Sequence, residues 1–325
     1  MRLPKFEYFE PKEIKEAVGI LQDQPLARIL AGGTDLLVNM KHRVESPPVI
    51  VNIKRIQGLD FIREENGDVR IGALTTLKRI YTDPMIMEKL PGLAESASSV
   101  GSYHHQVMGT LAGNICQQNR CKYFNQSRMW RSAKSLCFKA GGEICHVVNK
   151  KGICYSSYCG DLAPVFLVMN AKIVLIGKAG PREISMENLF LGNGKDPLNL
   201  IPGEMLKEIT IPSESVKGVC CYEKLANRES IDFPILGTAF WASVQNREYR
   251  VAFTAVDQKP LRGQRIESFL SGNDLTEEIL DQACDLADKV AKPVKTSIYS
   301  PSYKRKMMGR QFRSAADRAT GRSIS

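Results

Sequence analysis

Ala27-Arg-Ile-Leu-Ala-Gly-Gly-Thr-Asp-Leu-Leu37 is the stretch on which the fold turns. Ala27 to Ala31 reads as a buried strand. Gly32-Gly33 then breaks the chain, and Thr34-Asp35 can cap a helix running through Leu36, Leu37 and Met40. Two glycines let backbone approach an anion closely, and the free N–H groups of a helix start suit a pyrophosphate. A Gly-Gly turn before a helix is also a common structural device. The G-x-G-x-x-G dinucleotide fingerprint is absent.

Outward from this stretch the chain mixes helical and strand patterns. Pro11 to Leu21 reads as an amphipathic helix, with Ile14, Ala17, Val18 and Leu21 on one face. Val49 to Ile53 is a strand, and Asn66-Gly67 joins Phe61–Arg63 to Val69–Gly72 as a hairpin. Thr75 opens a helix that Pro84 interrupts, and Leu93 to Val100 is helical in pattern. From Gly101 to Asp161 the periodicity fails, and a loop that long is usually functional. Order returns with Leu162–Ala171, then strands at Lys172–Gly177 and Leu206–Pro212. A last unit begins near Val219, with strands at Gly237–Val244 and Tyr249–Ala255 and helices at Thr276–Ala291 and Ser302–Ala319. Strands and helices do not alternate strictly, so the class is α+β. Residues 1–215 are expected to form one domain and residues 216–325 a second, smaller one.

The 325 residues, 43% hydrophobic and 25% charged, suit a globular protein of two or three cores. No apolar run reaches membrane-span length, and the N-terminus lacks a signal-peptide core, so the expected location is cytoplasmic. The net charge of +10 comes with no nucleic-acid motif. It is uneven: residues 117–160 hold eight Lys or Arg and one acid, Glu143, and the stretch from Ser302 holds seven and one acid, Asp317. These are either solvated faces or surfaces for an acidic partner.

Gly109-Thr-Leu-Ala-Gly-Asn-Ile115 is a second run of small residues that could bring backbone close to a ligand, or simply turn tightly between core segments. With Ala31–Leu36 and Gly160-Asp-Leu-Ala-Pro164 it resembles the FAD-binding subunits of the xanthine dehydrogenase and carbon monoxide dehydrogenase flavoproteins. Those show A-G-G-T-D-L, then T-x-G-G-N, then S-P-x-x-D-x-x-P. Tyr222-Glu-Lys224 with Arg228 and Asp232 is similar to a later E-K…R…D stretch. The resemblance runs from Lys5 to about Arg313. Ala112 replaces one glycine, and the Ser-Pro before the aspartate is missing.

The resemblance implies a two-part FAD-binding domain followed by a smaller α+β domain. Arg28, Ile29, Leu30, Ala31, Gly32, Gly33, Thr34, Asp35 and Leu36 would line the pyrophosphate and ribose. Gly109, Thr110, Gly113, Asn114 and Cys116 would hold the flavin and diphosphate from the other side. Asp161 would bind a ribose or adenine-side polar group. Met205 and Leu206 would wall the adenine or ring, and Lys224 would approach the flavin or a phosphate. The implied partners are a molybdopterin-binding large subunit and a small 2Fe–2S subunit, in a dimer of heterotrimers. No acid–base constellation stands out here, so the substrate's chemistry would occur on another chain.

Six of the nine cysteines lie between Cys116 and Cys159, a clustering that points to metal or redox chemistry in a reducing compartment. In the family the second motif leads almost directly to the aspartate; here residues 117–157 intervene. Cys121, Cys137, Cys145 and Cys154 lie inside that insertion at spacings of 16, 8 and 9. Four thiolates are what a 4Fe–4S cluster requires. A four-cysteine zinc loop remains the alternative, although zinc sites usually bring close C-x-x-C pairs. Cys116 and Cys159 sit at the insertion's edges, His146 could also be a ligand, and Cys220, Cys221 and Cys284 read as core thiols.

A cluster insertion in a flavin subunit is similar to that of the 4-hydroxybenzoyl-CoA reductases within the family. That implies a ferredoxin-like acidic donor, with electrons running inward through 4Fe–4S and FAD to molybdenum. The alternatives are a hydroxylase subunit that passes electrons outward to NAD, and a non-redox scaffold with a zinc loop.

Overall fold

A computed structural model describes residues 2–322. The quoted stretch keeps the expected order of strand, glycines and helix, but the strand is only partly buried and Asp35, at the N-cap, makes no side-chain capping bond. Strand Arg28–Leu30 ends at the glycines, and helix Leu36–Lys41 begins at Asp35. Strand Val49–Asn52 is the centre of a three-stranded parallel sheet, flanked by Arg28–Leu30 and by Glu7–Phe9. Parallel strands need crossovers: helix Ile14–Asp23, burying Ala17, Val18 and Leu21, joins the two edge strands, and helix Leu36–Lys41 joins Arg28–Leu30 to its neighbour Val49–Asn52.

The second layer is a five-stranded antiparallel sheet. In order across it run Ile62–Glu65, Asp68–Gly72, Met205–Ile211, Lys172–Gly177 and Gly180–Ser185. Asn66 and Gly67 both take positive φ, as a two-residue hairpin turn demands. Helices Leu77–Thr82, Pro84–Lys89, Pro91–Ser98 and Leu162–Val168 lie with this sheet around the largest core. Pro84 interrupts the helical stretch as expected: helix Leu77–Thr82 ends before it, and a new helix starts at it, capped by Asp83, which accepts from the N–H groups of Met85 and Ile86.

Strands Val219–Leu225, Leu236–Ser243, Glu248–Thr254 and Leu261–Arg262 form the third sheet. One face packs into the large core through Tyr222, Ala239 and Trp241. The other carries a core of its own with helices Gln264–Leu270, Glu277–Ala287 and Pro301–Thr320, through Phe240, Phe253, Leu280 and Phe312. The basic stretch from Ser302 is therefore a packed helix rather than a solvated tail. Lys304 is buried, Arg313 pairs with Asp281 and Asp317, and Arg318 pairs with Glu95. Among the described residues no helix is long and apolar enough to cross a membrane.

Candidate functional site

The two glycine motifs, far apart in sequence, touch in space. A Cβ on Gly32 would fall onto the carbonyl oxygen of Met108, and Gly33 turns at φ +77°. Only a residue without a side chain permits both the contact and the turn. Thr110 caps the short helix Leu111–Ile115, its hydroxyl accepting from Gly113 N–H at 3.1 Å. The second run is tied to the large core, with Leu111 and Ala112 N–H donating to Thr75 and Ala73 carbonyls. By contrast, the N–H groups of Gly32, Gly33, Thr34 and Asp35 meet no acceptor among the described residues. They are free for an anion.

The motifs border a cavity of about 690 Å³ between the parallel sheet and the rest of the molecule. Arg28, Ile29, Ala31, Gly32, Gly33, Thr34, Asp35 and Leu36 line it, as do Gly109, Thr110, Gly113, Asn114, Cys116, Asp161, Met205 and Leu206. Two expected residues stand elsewhere. Leu30 alternates to the other face of its strand and is buried against Met40 and Ile50. Lys224 lies behind the wall, its ammonium donating to the Ser99 carbonyl at 2.8 Å and the Asp232 carbonyl at 3.0 Å.

Lys224 also pairs at 3.2 Å with Asp161, which accepts from the Tyr222 hydroxyl at 2.8 Å. Burial pushes the Asp161 carboxyl above its usual range, and Lys224 partly offsets this. Asp161 is held in place by its neighbours: Leu162 N–H donates to the Asn114 side chain at 3.2 Å. Burial pushes the Cys116 thiol up to about 12, so it stays protonated at the cavity wall.

Other wall residues carried no legible pattern. Leu198, Leu200, Ile201 and Pro202 close one side, Ile231 to Phe233 another, and Gln117, Gln118 and Arg120 enter from the insertion. The Pro202-Gly203 dipeptide marks a turn, but nothing local says that it faces a ligand. The shape fits FAD on three counts: adjoining glycine turns with unused N–H donors, an apolar wall, and an anchored carboxylate.

Next to this cavity the insertion forms a second one. Cys121, Cys137, Cys145 and Cys154 all line it, with Tyr123, Phe124, Phe138, Lys139, His146, Val147 and Ser156. Its scaffold is slight: helix Arg128–Ser132, a turn of 3₁₀ helix at Phe138–Ala140, and the two-residue strands Ile144–Cys145 and Lys150–Lys151. Two backbone links and one side-chain bond, from the Gln258 carboxamide, fasten it to the body. Arg120 bridges Ser157, Lys122 N–H donates to the Thr296 carbonyl, and the Gln258 amide donates to the Cys154 carbonyl at 2.6 Å.

Burial raises the Cys121 thiol, while N–H groups of Tyr123 and Phe124 pull it back. Burial pushes the Lys139 ammonium below its usual value, opposed by Cys154 and Cys121. His146 Nε2 donates to the Ser135 carbonyl, 2.9 Å away. Among the described residues no three His, Cys, Asp or Glu groups are set to hold a single metal ion. All four inner cysteines nevertheless line this one small cavity. Cys116 belongs to the flavin-side cavity, and Cys159, buried, lies outside both. Cys220 and Cys221 are buried in their strand, and Cys284 is half-buried in its helix.

Comparison with known proteins agrees with this architecture. Residues 4–214 match the FAD binding domain in molybdopterin dehydrogenase, and residues 221–319 match the CO dehydrogenase flavoprotein C-terminal domain. The carbon monoxide dehydrogenase medium chain of Hydrogenophaga pseudoflava is 29% identical over 324 residues, 98% of each chain. The nicotinate dehydrogenase FAD-subunit of Eubacterium barkeri is 28% identical over 85% of this chain and 83% of its own length. A solved carbon monoxide dehydrogenase from Hydrogenophaga pseudoflava, lacking the Mo-pyranopterin moiety, superposes with a TM-score of 0.82 at 27% identity over the whole of both chains. The chain belongs to the family of FAD-binding flavoprotein subunits of the molybdopterin dehydrogenases, of the carbon monoxide dehydrogenase and xanthine dehydrogenase type.

Proposed function

We propose that this chain carries electrons through a 4Fe–4S cluster on its insertion and an FAD in its main cavity. It would work beside a molybdopterin-binding large subunit and a 2Fe–2S small subunit in the cytoplasm. The observation that carries the reading is the cysteine cavity: four thiols of one insertion line one apolar space, directly beside the flavin-side wall. Four thiolates and no carboxylate is the donor set for an iron–sulfur cluster. Zinc sites usually bring close C-x-x-C pairs, and spacings of 16, 8 and 9 contain none.

The two groups supply one-electron storage and transfer, and the protein supplies placement and electrostatics. Gly32 to Asp35 present N–H donors to the diphosphate. Met205 and Leu206 wall the cavity and exclude water. Arg120 faces the flavin side while Cys121, next in sequence, faces the cluster, so one peptide unit joins the two walls.

The direction we favour is inward, from an acidic ferredoxin-like donor to molybdenum. The reaction we favour is the reductive dehydroxylation of 4-hydroxybenzoyl-CoA. A second reading is favoured by the names of the relatives, which are dehydrogenases: electrons would then leave by FAD to NAD or another acceptor. The test is an absorption and EPR spectrum of the isolated chain with iron, sulfide, zinc and flavin counts. Four irons, four sulfides and one flavin are expected. Zinc with no iron would overturn the cluster, and the absence of flavin would overturn the cavity. Rapid reduction by NADH would favour the second reading.

A further inference from the structure

We propose that Lys139 is the countercharge of the cluster and holds its reduction potential up. This rests on the 4Fe–4S reading given above. Lys139 is the only Lys or Arg among the residues that line the cysteine cavity, and no carboxylate lines it. The remaining wall is the four thiols, Tyr123, Phe124, Phe138, His146, Val147 and Ser156.

The ammonium is fixed in place. It donates to the Asn119 carbonyl at 3.0 Å and to Ser156 Oγ at 3.4 Å, with the Phe124 ring centre 5.1 Å away. Ser156 Oγ lies 3.3 Å from Cys154 Sγ and donates to the Gly194 carbonyl at 2.6 Å. One fixed positive charge is thus set on the Cys154 side of an otherwise apolar cavity. Asn119 is itself fully buried, its amide donating to the Ser156 and Gln258 carbonyls, so the cradle cannot swing away.

A cluster on four thiolates is anionic and gains a further negative charge on reduction. A nearby cation favours the reduced form more than the oxidised one, and the low dielectric of the cavity strengthens the effect. The surface lysines of the insertion cannot do this, because water and salt screen them. Lys139 is a positioning residue here: it acts on the cluster's equilibrium and touches no substrate.

The test is an EPR-monitored redox titration of the full chain carrying cluster and flavin, for the wild type, K139M, K139Q and K139R. At a fixed ambient potential K139M is expected to lower the ratio of reduced to oxidised cluster at least tenfold. For a one-electron couple that is a downward shift of 59 mV or more. K139Q keeps hydrogen-bond donors without the charge and should shift likewise. K139R should stay within threefold of the wild type, and the flavin couple should stay unchanged in all of them. Clusters in K139M or K139Q that titrate with the wild type would overturn the proposal. So would loss of the cluster in both with retention in K139R, since the charge would then serve assembly instead of potential. A wild-type chain without iron would refute the cluster reading itself, a result distinct from either.

Discussion

The guanidinium of Arg120, inside the insertion, is ion-paired with Asp35 of the first glycine motif. The same guanidinium lies over the Phe233 ring, 4.3 Å from its centre. Three parts of the chain thus meet at one side chain: the cysteine insertion, the first glycine turn and the loop after Arg228. The pair is only partly exposed, so it is worth more than a surface salt bridge and less than a fully buried one. Arg120→Met should weaken FAD binding by about 2 kcal/mol, roughly thirtyfold in affinity. Fluorescence titration of flavin into the apoprotein reads this directly. Asp35→Asn should cost less in the Arg120→Met background than in the wild type; strict additivity would show that the pair does not couple the two segments.

Gly32 is the point where the two motifs touch. Gly32→Ala would drive a methyl into the Met108 carbonyl, and backbone cannot give way as a side-chain tip can. The variant should lose its flavin and about 3 kcal/mol of stability. Gly58→Ala is the control: it has open space around its Cβ and a φ of +76°. It should cost about 1–2 kcal/mol of backbone strain and keep full flavin. Absorbance ratios and thermal melts of the two variants separate a broken cradle from general strain.

What the sequence made legible depended on whether the chemistry was local. Ala31–Leu36 announces itself because a strand, two glycines and a helix start stand in a row, and the structure keeps that order although Asp35 makes no capping bond. The cysteines announce themselves by clustering. Helices Tyr103–Met108 and Leu111–Ile115 did not, because six and five residues are too few to display a helical period. Strand Gly180–Ser185 was hidden by Pro181 and by its position at the sheet edge, where proline is tolerated. The wall at Leu198 to Pro202 and the position of Lys224 are set by tertiary placement alone. Lys224 looked like a ligand group and is instead committed to Asp161, Ser99 and Asp232.

That commitment has a pH signature. Lys224→Met leaves Asp161 buried without its countercharge, which should cost about 3–5 kcal/mol near neutral pH. Asp161 already has its folded value raised above the ordinary 3.8 by burial, and losing Lys224 raises it further. A raised carboxyl favours the protonated folded state. The penalty is therefore absent below the unfolded value and grows as pH climbs through the folded one. Thermal melts of Lys224→Met should lie closer to wild type at pH 5 than at pH 7. Asp161→Asn in the same background should recover much of the loss at pH 7. A deficit independent of pH would mean that lost packing, not the carboxylate, is responsible.

The proposed cluster ligands can be tested against the other thiols. Serine in place of Cys137, Cys145 or Cys154 should abolish the cluster's EPR signal and leave FAD largely bound. Cys121→Ser should abolish the signal and also lower flavin occupancy, because its neighbour Arg120 braces the flavin side. Cys116→Ser, Cys159→Ser, Cys220→Ser and Cys284→Ser should keep the cluster. A cluster lost in Cys116→Ser or Cys159→Ser, with one of the inner four dispensable, would reassign the ligand set.

On the proposed cluster reading, the exposed face of the insertion would receive an acidic donor. Arg128, Lys134, Lys150 and Lys151 are exposed, and Met129, Trp130, Leu136 and Ile153 are exposed among them. Exposed apolar side chains together with basic ones are the composition of a steered, transient interface. Arg131 belongs to the same stretch but not to this surface, since its guanidinium donates to the Gln126 and Arg43 carbonyls and fastens the insertion. Arg128→Glu, Lys134→Glu and Lys150→Glu combined should slow reduction by a ferredoxin at least tenfold. Reduction by a small chemical reductant should be spared, because the substitutions leave cluster and flavin in place. Steering of this kind is screened over about 8 Å at physiological ionic strength. The wild-type rate should therefore fall steeply with salt, and the variant's should not. Stopped-flow rates indifferent to both salt and charge reversal would mean that this face docks another subunit of the complex.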